Sequence, residues 1–220
     1  LCSAGNAAAP LRVGARAVSQ PAAEGWEGRI VVLGSESPQR HSPQAPEVAA
    51  DGADPGSAGL DAYELAGQVL ARLRAGGHTV AVAESLTGGL VAAALTDIPG
   101  ASEAFRGGVV AYATELKALL LGVDRGMLAR HGAVYAPVAV AMAVGVRTRL
   151  GATYGVATTG VAGPDPADGQ PVGTAHIAVS AADDTVVRTI ALTGDRTQIR
   201  RLSVEHALGL LLGRLREETG

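Results

Sequence analysis

The chain has 220 residues, a formal net charge of −3, 47% hydrophobic and 3% aromatic residues, and a single cysteine, Cys2. This balance carries no basic footprint for nucleic acid. One cysteine excludes an internal disulfide framework and a cysteine metal site, and it fits a reducing compartment.

Residues 1–57 are rich in Ala, Gly, Pro and Ser, and their one short apolar run is Ile30-Val31-Val32-Leu33. A lone strand cannot bury its faces, so this segment is expected to be a disordered low-complexity extension without chemistry of its own. Arg12 and Arg16 are followed by no apolar run, so no signal peptide is expected. No stretch approaches the roughly 18 apolar residues of a spanning helix, so no membrane association is expected.

The globular domain is expected over 58–220. Leu65, Val69 and Leu73 repeat at helical spacing, with Asp61 to cap the start and Gly76-Gly77 to stop the helix. Val80-Ala81-Val82-Ala83 reads as a buried strand. It runs into the hydroxyl- and glycine-rich turn Glu84-Ser85-Leu86-Thr87-Gly88-Gly89, and a helix follows over 90–96. Residues 109–113 read as the next strand, with Thr114 capping a helix over 115–121 and a short helix over 125–130. Pro137 is a first-turn proline, opening a helix that Gly151 ends. A third strand over 154–159 leads into Gly160-Val161-Ala162-Gly163-Pro164. Strands over 174–180 and 186–192 form a hairpin around Asp183-Asp184. Asp195 then caps a long helix with Ile199, Leu202, His206 and Leu210 along one stripe.

This order predicts an α/β fold: a three-layer α/β/α sandwich with a mostly parallel sheet and one antiparallel hairpin. Ligands of such sheets bind outside the carboxyl ends of the strands. Here those ends are polar: Glu84, Ser85, Thr87, Gly88 and Gly89; then Tyr112, Thr114 and Lys117; then Thr158, Thr159 and 160–163.

Ser85 is either a nucleophile beside backbone N–H groups or an ordinary helix cap. Lys117 is either a solvated cation or, with its pKa lowered by burial, a base for Ser85. Tyr112 is either core or a proton relay. The 160–163 turn is either a tight connection or a phosphate cradle. Arg196, Arg200 and Arg201 crowd the start of the last helix, where cations oppose the helix dipole, so an anion among them or a solvated face accounts for the cluster. Of the five histidines, no pair has metal-ligand spacing.

Collinear motifs carry a family resemblance. Ala83-Glu84-Ser85-Leu86-Thr87-Gly88-Gly89, Gly107-Gly108-Val109-Val110-Ala111-Tyr112, Lys117, Leu121-Gly122-Val123, His131-Gly132-Ala133-Val134, Thr159-Gly160-Val161-Ala162-Gly163-Pro164, Pro171-Val172-Gly173-Thr174 and Gly194-Asp195-Arg196 together resemble the CinA C-terminal domain over about 60–216. The resemblance implies a nicotinamide-nucleotide amidohydrolase that converts nicotinamide mononucleotide to nicotinate mononucleotide and ammonia. It implies a cytoplasmic homo-oligomer without metal or organic cofactor. Ser85 would be the nucleophile, activated by Lys117 and Tyr112, with N–H groups of 87–89 on the oxyanion. Glu84, Thr87, Gly88, Gly89, Thr159, Gly160, Gly163, Arg196 and Arg200 would line the substrate site, an arginine meeting the phosphate. A nucleotide- or partner-binding module without catalysis, or an amidase for another pyridine amide, would share these residues.

The chain departs from the family pattern in three places. Leu86 stands where cysteine is frequent, Ala113-Thr114-Glu115 replaces a Ser-Asn-Glu run, and the loop over 165–170 is short. Residues 1–57 do not resemble the N-terminal half of full-length members.

Overall fold

The computed structural model describes residues 29–33 and 59–217. The expected character of residues 1–57 falls mostly outside the described part. The run Arg29–Leu33 lies inside it and forms a strand, β1, paired in parallel with a later strand. The partner missing from local sequence is supplied some 155 residues downstream, where Val31 pairs with Val186.

The elements that follow are α1 (Ala62–Ala75), β2 (Val80–Glu84), α2 (Leu90–Thr96), a 3-10 turn (Ala101–Glu103), β3 (Phe105–Val110), α3 (Thr114–Leu121), α4 (Arg125–His131), α5 (Ala136–Leu150), β4 (Tyr154–Gly160), β5 (Thr174–Ser180), β6 (Asp184–Ala191) and α6 (Arg196–Glu217). They match the expected order apart from the added 3-10 turn and the start of α3, where Thr114 is the first helical residue and the N-cap is Ala113 without a side-chain bond, and with two shifts among the strands. β3 starts at Phe105 and ends at Val110, several residues earlier than expected, because Gly107-Gly108 is accommodated within the strand. A Cβ on Gly108 would press on the Val82 side chain of β2, so glycine here is a packing requirement and not a breaker. β6 starts two residues early, at Asp184, which pairs with Arg214 at 3.2 Å.

The six strands run in the order β1-β6-β5-β4-β2-β3. β2 is parallel to β3 and β4, and β1 is parallel to β6; β5 is antiparallel to both β4 and β6. Five strands therefore point one way, and β5 alone returns. The carboxyl ends of β2, β3 and β4 consequently meet at one edge of the sheet.

Alternation along β2 decides the layers. Val80 and Val82 pack with α1, α2 and α6, while Ala81 and Ala83 pack with α5. The same division holds in β5, where Ile177 and Val179 face α6 and Ala178 faces α5. Small residues on the α5 side let that helix approach closely: a Cβ on Gly155 of β4 would meet the Ala143 carbonyl. A Cβ on Gly145 of α5 would likewise strike the backbone of Leu121 at the end of α3. This contact seats α3, and with it Lys117, against the sheet.

Candidate active site

The turn after β2 is held from both faces of the sheet. Glu84 has the parity of Val80 and Val82, so it points to the α2 side and is fully buried. Its carboxylate accepts from the N–H groups of Gly89 (2.8 Å), Val91 (3.1 Å) and Ala92 (2.8 Å). The helix cap therefore comes from a strand residue, since Gly89 itself has φ 100° and no side chain to offer. Glu84 satisfies the donors at the start of α2 that the sequence suggested for an external anion, and its oxygens are spent on the helix. Glu84→Ala would orphan three donors at once, one buried and two half-buried. It is expected to cost about 3 kcal/mol and to lower the melting temperature by roughly 6–12 °C, read by thermal unfolding.

Thr87 is also buried, with its hydroxyl 2.7 Å from that of Thr158. Arg200, reaching from α6, donates from Nε to the Leu86 carbonyl (3.0 Å) and from Nη2 to the Thr87 carbonyl (2.7 Å). Gly88, at φ 59°, donates to the Ser85 carbonyl at 3.1 Å. The Ser85 N–H extends the β2–β4 ladder to Thr158 O at 3.0 Å. Of the N–H groups expected to face an oxyanion, those of Gly88 and Gly89 are thus already engaged. Among the described residues, the N–H groups of Leu86 and Thr87 donate to no protein acceptor.

Ser85 itself is 8% exposed, and its Oγ makes no hydrogen bond with the described residues. It does not act as a cap, because Glu84 performs that task.

Lys117 is 0% exposed. It lies on the stripe of α3 that also buries Leu121. Its Nζ donates to the Ala111 carbonyl at 2.8 Å and the Tyr112 carbonyl at 3.3 Å, the main-chain groups just beyond β3. Ala111 N in turn donates to Glu84 O, which places this amine beside the end of β2. Nζ and Ser85 Oγ share the strand edge without a direct hydrogen bond. Burial pulls the Lys117 pKa down from 10.5 to about 8, opposed by the negative charges of Asp168 and Glu115. An amine held there is partly neutral near physiological pH. In its neutral form its two N–H bonds match the two carbonyls and its lone pair stays available.

Tyr112 is neither core nor hydrogen-bonded to the lysine through its phenol. It is 59% exposed, and its hydroxyl accepts from Arg196 Nη2 at 3.0 Å. Arg196 Nη1 donates to the Gly163 carbonyl at 2.6 Å. Arg196, Tyr112 and Gly163 therefore form one exposed rim. Thr159 faces the α5 side and gives its hydroxyl to the Ala133 carbonyl at 2.8 Å. Gly160 is set by packing, because a Cβ there would meet the backbone of Thr174 and Ala175.

Asp168 was not singled out by the sequence reading. Its φ is 52°, and its carboxylate accepts from the N–H groups of Ala133 (2.6 Å) and Val134 (3.0 Å). It ties the 165–170 loop to the connection between α4 and α5 and adds negative potential at Lys117. The Asp168-Gly169 pair marks a turn in sequence, but its partners some 35 residues away do not show locally. His176, opposite Thr159 in the β4–β5 ladder, is buried, with Nδ1 2.9 Å from the Thr189 hydroxyl; desolvation lowers its pKa.

Among the described residues, no group of three or more His, Cys, Asp or Glu side chains is placed to hold a metal ion. No described helix is long and apolar enough to cross a membrane. An open depression of about 460 Å³, lined by residues including Thr96, Ser102 and Arg106, sits at the start of β3, the opposite end of that strand from Tyr112 and Lys117.

Fold and strand edge together define a three-layer α/β protein with a serine hydroxyl and a buried amine at the carboxyl ends of adjacent parallel strands. The CinA C-terminal domain family model matches residues 62–215, and the chain belongs to that family. A CinA-like protein of Frankia casuarinae is 60% identical over 147 residues, covering 67% of this chain and 34% of that protein. One from Gloeobacter violaceus is 51% identical over 162 residues, 70% of this chain and 38% of its own length. The chain thus spans little more than a third of those curated relatives. Among solved structures, a competence-damaged protein (CinA) superfamily protein from Klebsiella pneumoniae aligns with TM-score 0.70 at 32% identity, covering 72% of this chain and 99% of that one. The competence/damage inducible protein CihA from Agrobacterium tumefaciens aligns with TM-score 0.68 at 37% identity, covering 71% of this chain and 96% of that one.

Proposed function

We propose that the protein hydrolyses the carboxamide of nicotinamide mononucleotide, giving nicotinate mononucleotide and ammonia, as a cytoplasmic homo-oligomer in pyridine nucleotide salvage. The observation that carries this reading is a fully buried amine with a pKa near 8, at the same strand edge as a serine hydroxyl that bonds to no described residue. Neutral Lys117 takes the Ser85 proton, directly after a side-chain rotation or through one water. Ser85 Oγ forms a bond to the carboxamide carbon, and the carbonyl electron pair moves onto oxygen. That pair then re-forms the carbonyl, the C–N bond breaks, and ammonia leaves with the proton held by Lys117. Water attacks the acyl-enzyme, again giving its proton to Lys117, and the carboxylate departs as Ser85 recovers its proton.

In this scheme Tyr112 acts at two points, its carbonyl orienting the amine and its hydroxyl orienting Arg196. The exposed Arg196 guanidinium meets the 5′-phosphate. Ammonia release should be measured on nicotinamide mononucleotide, nicotinamide riboside and nicotinamide. The mononucleotide is expected to be the preferred substrate. Arg196→Met is expected to raise its KM roughly tenfold or more while barely changing turnover of the riboside. Equal turnover of all three compounds would remove the phosphate from the reading.

A second reading, a nucleotide-binding module without catalysis, is favoured by one observation: Ser85 and Lys117 make no direct hydrogen bond. Calorimetry showing tight nucleotide binding with no ammonia release decides for it.

A further inference from the structure

Arg200 stands with the substrate-binding residues on the sequence reading, but two of its five N–H donors are turned onto protein. Two of its donors go to consecutive main-chain carbonyls, Leu86 O and Thr87 O, immediately after Ser85. A trans peptide sets its C=O and N–H in opposite directions. Drawing the Leu86 carbonyl toward Arg200 therefore turns the Thr87 N–H away from α6. The preceding peptide is fixed in the same manner, its Ser85 carbonyl accepting from Gly88 and its Leu86 N–H pointing the other way.

Leu86 and Thr87 are 4% and 0% exposed, and among the described residues neither N–H has a protein acceptor. Buried main-chain donors without a partner are rare and costly. Main-chain donors left over directly after a serine hydroxyl that bonds no described residue are the kind of group that stabilises an oxyanion. Gly88 completes the clamp: a Cβ there would lie 3.2 Å from Arg200 Nη2, so the glycine makes room for the guanidinium as well as allowing φ 59°.

We propose that Arg200 is a positioning residue that holds the Thr87 N–H through the Leu86 carbonyl, and the Leu86 N–H through Gly88, as the oxyanion donors of the Ser85 reaction. The inference rests on the hydrolase reading above. It also separates two arginines one helical turn apart, Arg196 at the exposed rim toward ligand and Arg200 inward on the turn.

The test is a kinetic comparison of wild type, Arg200→Met and Arg200→Lys on nicotinamide mononucleotide, with thermal unfolding as a folding check. Arg200→Met is expected to lower kcat about a hundredfold and to leave KM within about twofold, since only transition-state binding is lost. The pH midpoint of activity near 8 should not move, because Lys117 is untouched. Arg200→Lys, which keeps the charge but not the two-pronged geometry, should show the same split at smaller amplitude, and it carries the test where the methionine variant fails to fold. A raised KM with unchanged kcat returns Arg200 to substrate binding and overturns the inference. Unchanged kcat and KM overturn it too. A wild type that releases no ammonia from any of the three amides overturns the hydrolase reading and this inference together, which distinguishes that failure from the others.

Discussion

Ser85→Ala is expected to abolish ammonia release, lowering kcat about 10⁴-fold or more, equivalent to roughly 5 kcal/mol of barrier. The neighbouring hydroxyls are engaged: Thr87 and Thr158 bond each other, and Thr159 is committed to Ala133. The change should leave the fold intact, because Ser85 Oγ bonds to no described residue and the turn is held instead by Glu84, Arg200 and the Thr158 carbonyl. Unfolding free energy should shift by no more than about 0.5 kcal/mol, and calorimetric affinity for nicotinamide mononucleotide should persist. Near wild-type turnover in this variant would remove the acyl-enzyme from the mechanism.

Lys117→Met is expected to reduce turnover by about 10³-fold or more and to remove a rise of stability with pH. The folded-state pKa is about 8, against 10.5 for a lysine in water. Below pH 8 the amine is charged in folded and unfolded chains alike, and the fold bears the full cost of burying it. Between pH 8 and 10.5 the unfolded chain binds a proton that the folded chain has released, so stability rises with pH. Above 10.5 the cost is gone. The gain across this window is on the order of 3 kcal/mol at most, and denaturant unfolding at pH 7.5 and 10 should show it in wild type and not in Lys117→Met.

Activity has the matching sign. Because the neutral amine is the base, wild-type kcat/KM should climb with pH and level off above a midpoint near 8, with about one tenth of the molecules competent at pH 7. Lys117→Arg, whose charge cannot be removed in this range, should be as inactive as the methionine variant. Full activity in either would leave the serine without its base.

Element order was legible because the signals are local. Helical spacing of Leu65, Val69 and Leu73, alternation of Val and Ala in β2, and the punctuation at Gly76, Gly151 and Asp195 each act within one element. The gathering of Ser85 and Lys117 at one edge was legible too, since parallel strands place all their carboxyl ends together.

The hydrogen-bond partner of each polar group was not legible. Glu84, Thr159 and Arg200 all suggested substrate contacts, yet each is bonded to protein. Arg200 and Leu86 are 114 residues apart, and no periodicity encodes that meeting. Asp168 reaches Lys117 only because the 165–170 loop folds over the connection between α4 and α5. β1 found its partner in β6, so an apolar run that looked stranded in sequence completes a sheet edge.

What the amino-acid order determined by itself is therefore the set of helices and strands from α1 onward, the mostly parallel sheet with one antiparallel hairpin, and the strand end at which chemistry can sit. What only the tertiary structure decided is which side chains there are left with unspent hydrogen-bonding capacity. Propensity and periodicity act over one or two turns of chain, whereas desolvation and donor–acceptor pairing depend on whatever the completed fold brings within about 3 Å.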